Sequence, residues 1–381
     1  MRDGFFRFPS IVIFLFVAVL AAAQQERPAA LTPELRARVD QAALGFLANS
    51  GSPAVSIAVV EAGQIVYAGG YGFADLENQV PATAETRYRL ASISKTFTAI
   101  AAMQLWQQGK LDLDAPIQKY CPAFPEKNAP ITTRMLLGHL AGIRHYKAGP
   151  AGLPEVNSTT HFSNPIAGGL GFFKDDPLID KPGNHFHYST QGYTLIGCAI
   201  ESASGQSYTD YVEKNIFAPA RMDTATVDDR FNLIPHRTRF YSKDKDGKIE
   251  NAEFLDSSYK IPGGGWLADA PGLARYEIAL MENKLVAPGT FALMTTPLKP
   301  ADGSEDHYGL GFFVYDGDKS IDVGGKKFTS VGHAGGQQGT STMILMVPAL
   351  QFGVVVLSNL DGSNAPGLAE DLEKLLLRPT R

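Results

Sequence analysis

The sequence predicts an α+β fold: an antiparallel sheet flanked by helices, with a second, mostly helical lobe. Two observations lead there. Segments with strand character sit near both ends of the chain. Segments with helical periodicity fill the interval between them. The simplest packing sets an N-terminal hairpin beside the C-terminal strands in one sheet, covered by the terminal helices. The sheet lobe then takes about residues 24–90 and 305–381, and the helical lobe about 91–304.

The elements follow in order. Arg2 and Arg7 give the N-terminus a basic start, offset in part by Asp3, and Ile11 to Ala23 is an unbroken apolar run. That run is shorter than the ~18–20 residues a spanning helix needs. Ala21-Ala22-Ala23 supplies small residues for cleavage, so residues 1–23 read as a signal peptide and the mature chain as secreted or periplasmic. Thr32-Pro33-Glu34 opens a helix that runs to about Asn49. Ala54 to Glu61 reads as a strand, Ala62-Gly63 as a turn and Gln64 to Gly72 as the hairpin partner, with Gly69-Gly70 placed to bulge it. Ile93, Phe97, Ile100, Met103 and Trp106 then recur at three and four residues, with alanines filling the other faces. Such a helix is apolar nearly all round and belongs in the core, and Gly109 ends it.

Thr132 to Leu140 reads as a short helix and residues 147–187, dense in Gly, Pro and Asn, as long loops. Helices follow at Gln191 to Ala203 and at Pro271 to Met281. Tyr308 to Tyr315, Phe328 to His333, Ser341 to Val347 and Phe352 to Asn359 read as strands of one antiparallel sheet. A last helix spans about Ala365 to Leu377.

The chain has 381 residues, 44% hydrophobic and 19% charged, and a formal net charge of -5. This is a globular composition. With no long basic run, nucleic acid is excluded as a partner. Of the two cysteines, Cys198 lies in an apolar helical stretch and reads as a buried thiol, although export would permit a disulfide with Cys121. Neither stands at metal-ligand spacing.

Three motifs carry chemistry. Ser92-Ile93-Ser94-Lys95 opens the buried helix. A serine needs a nearby base to act as nucleophile, and Lys95, three residues on, shares its helix face. Burial disfavours the charged amine, which leaves a proton acceptor. The helix N-terminus also disfavours a cation and offers N–H groups to an oxyanion. Arg89 reads as solvated or paired. The second motif, Tyr188-Ser189-Thr190, stands at a loop-to-helix junction. Tyr188 could carry a proton if a cation lowers its pKa. Its alternative role is packing, with Ser189 or Thr190 capping the helix. The third, Gly332-His333-Ala334-Gly335-Gly336, ends a strand. Its glycines let a ligand approach the backbone, and an N–H there could join that of Ser92 in an oxyanion hole.

In this order, the motifs resemble those of the serine β-lactamase and penicillin-binding-protein superfamily. The likeness is to its class C β-lactamase-like branch, which also holds esterases, D-amino-acid peptidases and the mitochondrial β-lactamase-like serine protease. It covers about residues 35 to 375. Leu136 to His145 (LLGHLAGIRH), Tyr188 to Gly197 (YSTQGYTLIG) and Pro262 to Tyr276 (PGGGWLADAPGLARY) also look like stretches of this family. Thr190 and the run from Gly142 to Tyr146 look most like the mitochondrial-type group.

The resemblance implies a β-lactamase/transpeptidase-like fold and hydrolysis of ester or amide bonds through an acyl-enzyme, with no cofactor and no metal. The partner is a small-molecule or peptide substrate. Ser92 is then the acylated nucleophile, Lys95 the base and Tyr188 the proton shuttle. Ser92 and Gly336 supply the oxyanion hole, and Thr190, His333 and Gly335 line the substrate site. Two departures weigh against efficient lactam hydrolysis. Thr190 lacks the side-chain amide of the usual Asn. His333 replaces the strand-motif lysine and, titrating near neutrality, is a weaker anchor for a carboxylate.

Three rivals stand beside this reading. A metal-dependent hydrolase could use His185 and His187 with His139, His145 and His161, but no His-Glu-x-x-His helix and no carboxylate at a telling spacing supports it. An α/β-hydrolase would need Gly-x-Ser-x-Gly, which is absent. The third is a non-catalytic exported module binding a peptide or cell-wall fragment on the same fold.

Overall fold

The computed structural model describes residue 1, residues 30–147 and residues 155–377. The proposed signal segment lies outside the described residues. Helix α1 (Pro33–Ser50) is capped by the Thr32 hydroxyl and closed by Gly51 at φ 70°. Strands β1 (Ala54–Glu61) and β2 (Gln64–Asp75) form the expected hairpin, and β3 (Val80–Pro81) extends it. The bulge falls between Val59 and Val60 of β1, opposite Val66, and not at Gly69-Gly70. Gly70 instead makes room for another segment: a Cβ there would stand 2.5 Å from the Thr83 backbone.

The buried helix is α2 (Ser94–Gln107), entered through a 3-10 turn at Ala91–Ile93. Helix α3 is confined to Thr133–Leu137. The stretch read as loop, 147–187, holds a 3-10 turn at Glu155–Asn157 and helix α4 (Pro165–Gly171), capped by Asn164. Helices α5 (Thr190–Ser204) and α6 (Ala270–Met281) match their expected spans to within a residue or so. Of the stretch 308–315 only β4 (Phe313–Tyr315) is strand, because Gly311 at φ 92° turns the chain just before it. Strands β5 (Ser330–Gln337), β6 (Thr340–Val347) and β7 (Phe352–Ser358) precede the terminal helix α7 (Ala365–Leu377).

The sheet has seven antiparallel strands in the order β3-β2-β1-β7-β6-β5-β4, so the N-terminal hairpin pairs with the C-terminal strands through β1 and β7. Successive side chains of β1 point to opposite faces. Val55, Ile57 and Val59 pack with Val39, Ala43, Leu368 and Leu372 of α1 and α7. Ala58 and Val60 join the larger core with Phe97, Ile100 and Leu280. Both faces are therefore dry, and each fully buried Val, Leu or Ile contributes about 1.5–3 kcal/mol. That larger core runs from the sheet into the helices without a break, and the 3-10 turn that opens α2 packs against β5.

The cysteines are paired. Cys121 and Cys198 form a disulfide with Cα atoms 5.6 Å apart, which corrects the reading of Cys198 as a buried thiol. Cys198 sits on the side of α5 away from its fully buried face, where the loop carrying Cys121 passes.

Candidate active site

Ser92 lies in the 3-10 turn, one residue after Ala91, whose φ of 45° is a left-handed conformation few non-glycine residues adopt. At this second turn position its N–H has no acceptor within the turn. The hydroxyl is 2.9 Å from Lys95 Nζ. Lys95 is fully buried. Its Nζ also lies 3.0 Å from Thr190 Oγ1 and donates to the Gly263 carbonyl at 2.7 Å. Burial, reinforced by the nearby Lys260, holds the amine well below its ordinary pKa. A neutral amine has two protons and one lone pair. The Gly263 carbonyl takes one proton and Thr190 the other, which leaves the lone pair for the Ser92 hydroxyl.

The Tyr188 hydroxyl is hydrogen-bonded to Ser92, and the ring lies 4.9 Å from Lys95 Nζ. Its pKa is raised by burial, with the Ser92 bond only partly opposing. The expectation of a phenol acidified by a nearby cation is thus corrected: burial raises the Tyr188 pKa and keeps it a neutral phenol. Ser189 caps α5 by accepting from the Gly192 N–H, and Thr190 is the first residue of the helix. Thr190 does reach the cavity wall, but its hydroxyl serves Lys95 and Tyr146.

His333 departs further from expectation. It is buried, its Nε2 is 3.1 Å from the Tyr308 hydroxyl and its Nδ1 is 2.6 Å from the Ala334 carbonyl. Burial pushes its pKa down to about 3. It is therefore neutral at physiological pH, both of its ring nitrogens are engaged, and it does not line the cavity of Ser92. Gly335 is also buried: a Cβ there would come 2.2 Å from the Leu90 carbonyl oxygen, so its role is to let β5 close on the turn that carries Ser92. Gly336, the next residue, is exposed and has open space where its Cβ would be.

Ser92 and Gly336 line one small cavity, of ≈ 40 Å³, with Thr190, Gly263 and Gly264. Sequence reasoning missed four other members of its wall: His145, Tyr146, Lys260 and Gln337. His145 Nδ1 accepts the Thr190 N–H at 3.2 Å, so the ring proton of the neutral form sits on Nε2. Burial pushes this histidine down to about 4. His139 stands behind Tyr188 at a ring separation of 4.3 Å and accepts the Ser189 N–H. The loop bearing His145 is held by Arg144, which grips Glu155 through two nitrogens at 2.8 Å each and Asp176 at 2.6 Å. A signal for Lys260 did exist: like Lys95, it is a lysine beside an apolar stretch, Ile261-Pro262.

The imidazoles of the metal reading lie elsewhere. His185 and His187 both hydrogen-bond Asp180, and atoms suited to metal binding on the three lie within 4.8 Å of one another. The carboxylate that the sequence did not reveal is thus Asp180. None of the three lines the Ser92 cavity. The histidines' hydrogen bonds to Asp180 brace the segment that leads into Tyr188. Arg89 is paired with Asp228 at 2.7 Å.

Residues 39–378 match the family model described as Beta-lactamase. The chain is 32% identical to the human serine beta-lactamase-like protein LACTB, mitochondrial, over 78% of its own length and 69% of that protein's. Among solved structures it resembles the octameric penicillin-binding protein homologue from Pyrococcus abyssi, with a TM-score of 0.75 and 27% identity over 90% of this chain and 77% of that one. It also resembles a D-stereospecific amidohydrolase from Streptomyces sp., with a TM-score of 0.70 and 25% identity over 89% and 97% of the two chains.

Proposed function

The chain belongs to the β-lactamase family of hydrolases, and from that premise we propose that it is an exported serine hydrolase that cleaves ester or amide bonds through an acyl-enzyme on Ser92. The observation that carries this reading is the buried Lys95 amine, 2.9 Å from the Ser92 hydroxyl and held unprotonated by desolvation.

The steps follow from the geometry. Ser92 Oγ attacks the substrate carbonyl carbon as its proton passes to Lys95 Nζ. Negative charge gathers on the carbonyl oxygen, where the N–H groups of Ser92 and Gly336 receive it. The tetrahedral species collapses and the C–O or C–N bond breaks. The departing group takes a proton from the Tyr188 hydroxyl, which is replenished from Lys95. Water then attacks the acyl carbon, gives its proton to the same pair, and releases the acid with Ser92 restored. Such acid–base assistance is worth roughly 10²–10⁴-fold. With Thr190 Oγ1 serving Lys95 and no amide on its own side chain, simple esters and peptides suit the site better than lactams.

Export is supported by the basic and apolar N-terminal sequence and by the disulfide, which persists in oxidising compartments. Among the described residues no helix is long and apolar enough to cross a membrane. N-terminal sequencing of the protein recovered from its native cell tests the cleavage.

The catalytic reading is tested with a chromogenic ester, a chromogenic cephalosporin and a D-Ala-D-Ala peptide, following intact mass during turnover. The parent gains an acyl adduct and cleaves the ester fastest, whereas Ser92→Ala and Lys95→Met gain none. Turnover surviving in Ser92→Ala would sink the assignment, and a parent that binds these compounds without turnover would make the protein a binding module.

A further inference from the structure

Lys260 is the second fully buried lysine at this site, and the mechanism does not use it. It ends the 3-10 turn Ser257–Lys260, just before the turn whose Gly263 carbonyl holds Lys95. It is 1% exposed and lines the cavity of Ser92. Its ammonium lies 5.5 Å from the Tyr146 ring and 5.4 Å from the Tyr259 ring, faces that suit a cation. Among the described residues it has no hydrogen-bond acceptor and no ion pair. Burial, with Arg89 adding to it and Asp228 only partly opposing, pushes its pKa down to about 7, so a bound anion is what would hold it charged. Asp228 is already engaged by Arg89 at 2.7 Å and lies 3.7 Å from Arg237.

A second donor in the same cavity is in the same condition. Gln337 Nε2 is buried without a partner. Burying a polar group without a hydrogen bond is costly, and burying a charge without one costs far more. Two unpaired donors on one cavity wall, next to a nucleophile, describe the receptor half of an interaction. The missing half is an acceptor with negative charge and two oxygens. Meanwhile His333, the residue expected to anchor a carboxylate, is neutral and occupied by Tyr308 and Ala334.

We propose that Lys260 and Gln337 form an anion subsite that takes a carboxylate of the substrate close to the scissile carbonyl, so that the enzyme favours anionic esters or amides, such as monoacyl derivatives of a dicarboxylic acid, over neutral ones of the same shape. This rests on the serine-hydrolase reading given above. The carboxylate accepts from Lys260 Nζ and Gln337 Nε2, and the Ser92 and Gly336 N–H groups remain free for the oxyanion. His145, with its proton on Nε2, adds a third donor to the same wall.

The test compares matched fluorogenic esters at fixed ionic strength. One pair differs on the acyl side (valerate against the glutarate monoester) and one on the leaving group (a carboxylate against its methyl ester). Rates are corrected for spontaneous hydrolysis. The parent is expected to favour the anionic member of at least one pair by tenfold or more in kcat/KM, chiefly through KM, as befits a charge-assisted hydrogen bond. That ratio falls towards one in Lys260→Met and is partly restored in Lys260→Arg. Free glutarate, used with the parent alone, inhibits competitively and does so less at high salt. A parent that cleaves charged and neutral members of both pairs equally well overturns the subsite while leaving the hydrolase intact. Cleavage of none of them, with no adduct on Ser92, overturns the hydrolase reading itself. A preference that persists undiminished in a folded Lys260→Met variant also overturns the subsite.

Discussion

Adding one methyl group at Gly335 tests whether β5 must press against the nucleophile turn. In Gly335→Ala the new Cβ would lie 2.2 Å from the Leu90 carbonyl oxygen and 2.3 Å from Thr342 Oγ1, where real contacts of this kind stay at 3.0 Å or more. Thr342 can rotate. Leu90 cannot, because its carbonyl belongs to the chain that enters the Ser92 turn. Strand and turn must therefore part by about 0.8 Å, the shortfall from that limit. Gly336 is the next residue on β5, so its N–H moves away from Ser92. Losing one oxyanion donor costs ~10²–10³ in kcat, and a misplacement of about 1 Å has a similar effect. Overpacking of this kind also removes about 1–3 kcal/mol of stability. The assay is the rate of acyl-adduct formation on the ester, with thermal melting to show that the variant is folded. Gly45→Ala on α1, where a Cβ meets nothing within 4 Å, serves as the control and should match the parent. A folded Gly335→Ala variant that acylates within threefold of the parent refutes the claim that this contact sets the oxyanion hole.

Three further outcomes follow from the same structure. With a neutral ester, kcat/KM should rise with pH as Lys95 loses its proton and reach its plateau well below the ordinary lysine range, since burial lowers its pKa; a profile still climbing at pH 10 contradicts a neutral resting base. No inflection near pH 6.5 should come from His145 or His333, which burial has pushed down to about 4 and about 3, and substituting Gln for His145 leaves the shape of the profile unchanged. Opening the Cys121–Cys198 bond, which spans 77 residues, should lower stability by about 4 kcal/mol on the chain-entropy account, as measured by denaturant unfolding of Cys121→Ala with Cys198→Ala; an unchanged midpoint would mean that the bond bears no load.

The parts of the site legible in the sequence are those whose chemistry lies in contiguous residues. Ser92 and Lys95 are one helical turn apart, so their contact follows from local geometry alone. Tyr188 and Gly336 sit at element ends, where turn and strand signals mark them. The remainder depends on convergence. His145 and Tyr146 reach the cavity from one segment and Lys260 from another more than a hundred residues on, and the local signals at each, the run from Gly142 to Tyr146 and a lysine beside an apolar stretch, do not say that the two segments meet. The disulfide is hidden for the same reason: a separation of 77 residues leaves no periodic trace. Helix α4 was obscured by its composition, since Ile-Ala-Gly-Gly-Leu-Gly is a poor helix former. It stands because a side chain at Gly169 would strike the Tyr259 carbonyl oxygen at 2.2 Å, which makes the glycine a packing requirement. Conversely, the stretch 308–315 looked like strand because it is apolar, and its burial arises from irregular chain folded against α2.

The fold makes this cavity electropositive, and that single property accounts for several features at once. Among the described residues lining it, none carries a carboxylate. The nearby acids are neutralised from outside: Glu155 by Arg144 and Gln191, and Asp228 by Arg89. Lys95, Lys260 and the N–H groups of the nucleophile turn then share a space without a counter-charge. Burial lowers the pKa of both amines, that of Lys95 well below the ordinary lysine value, which readies it to accept a proton from Ser92. The same uncompensated field favours the oxyanion that forms when Ser92 attacks, because the donors are in place before the charge develops. It also leaves Lys260 without an acceptor among the described residues. A substrate that brings a carboxylate supplies it and, in binding, places its carbonyl beside the hydroxyl that Lys95 has activated. Activation of the nucleophile, stabilisation of the transition state and choice of substrate thus share one electrostatic cause, set by which acids the fold pairs with arginine and which lysines it leaves alone.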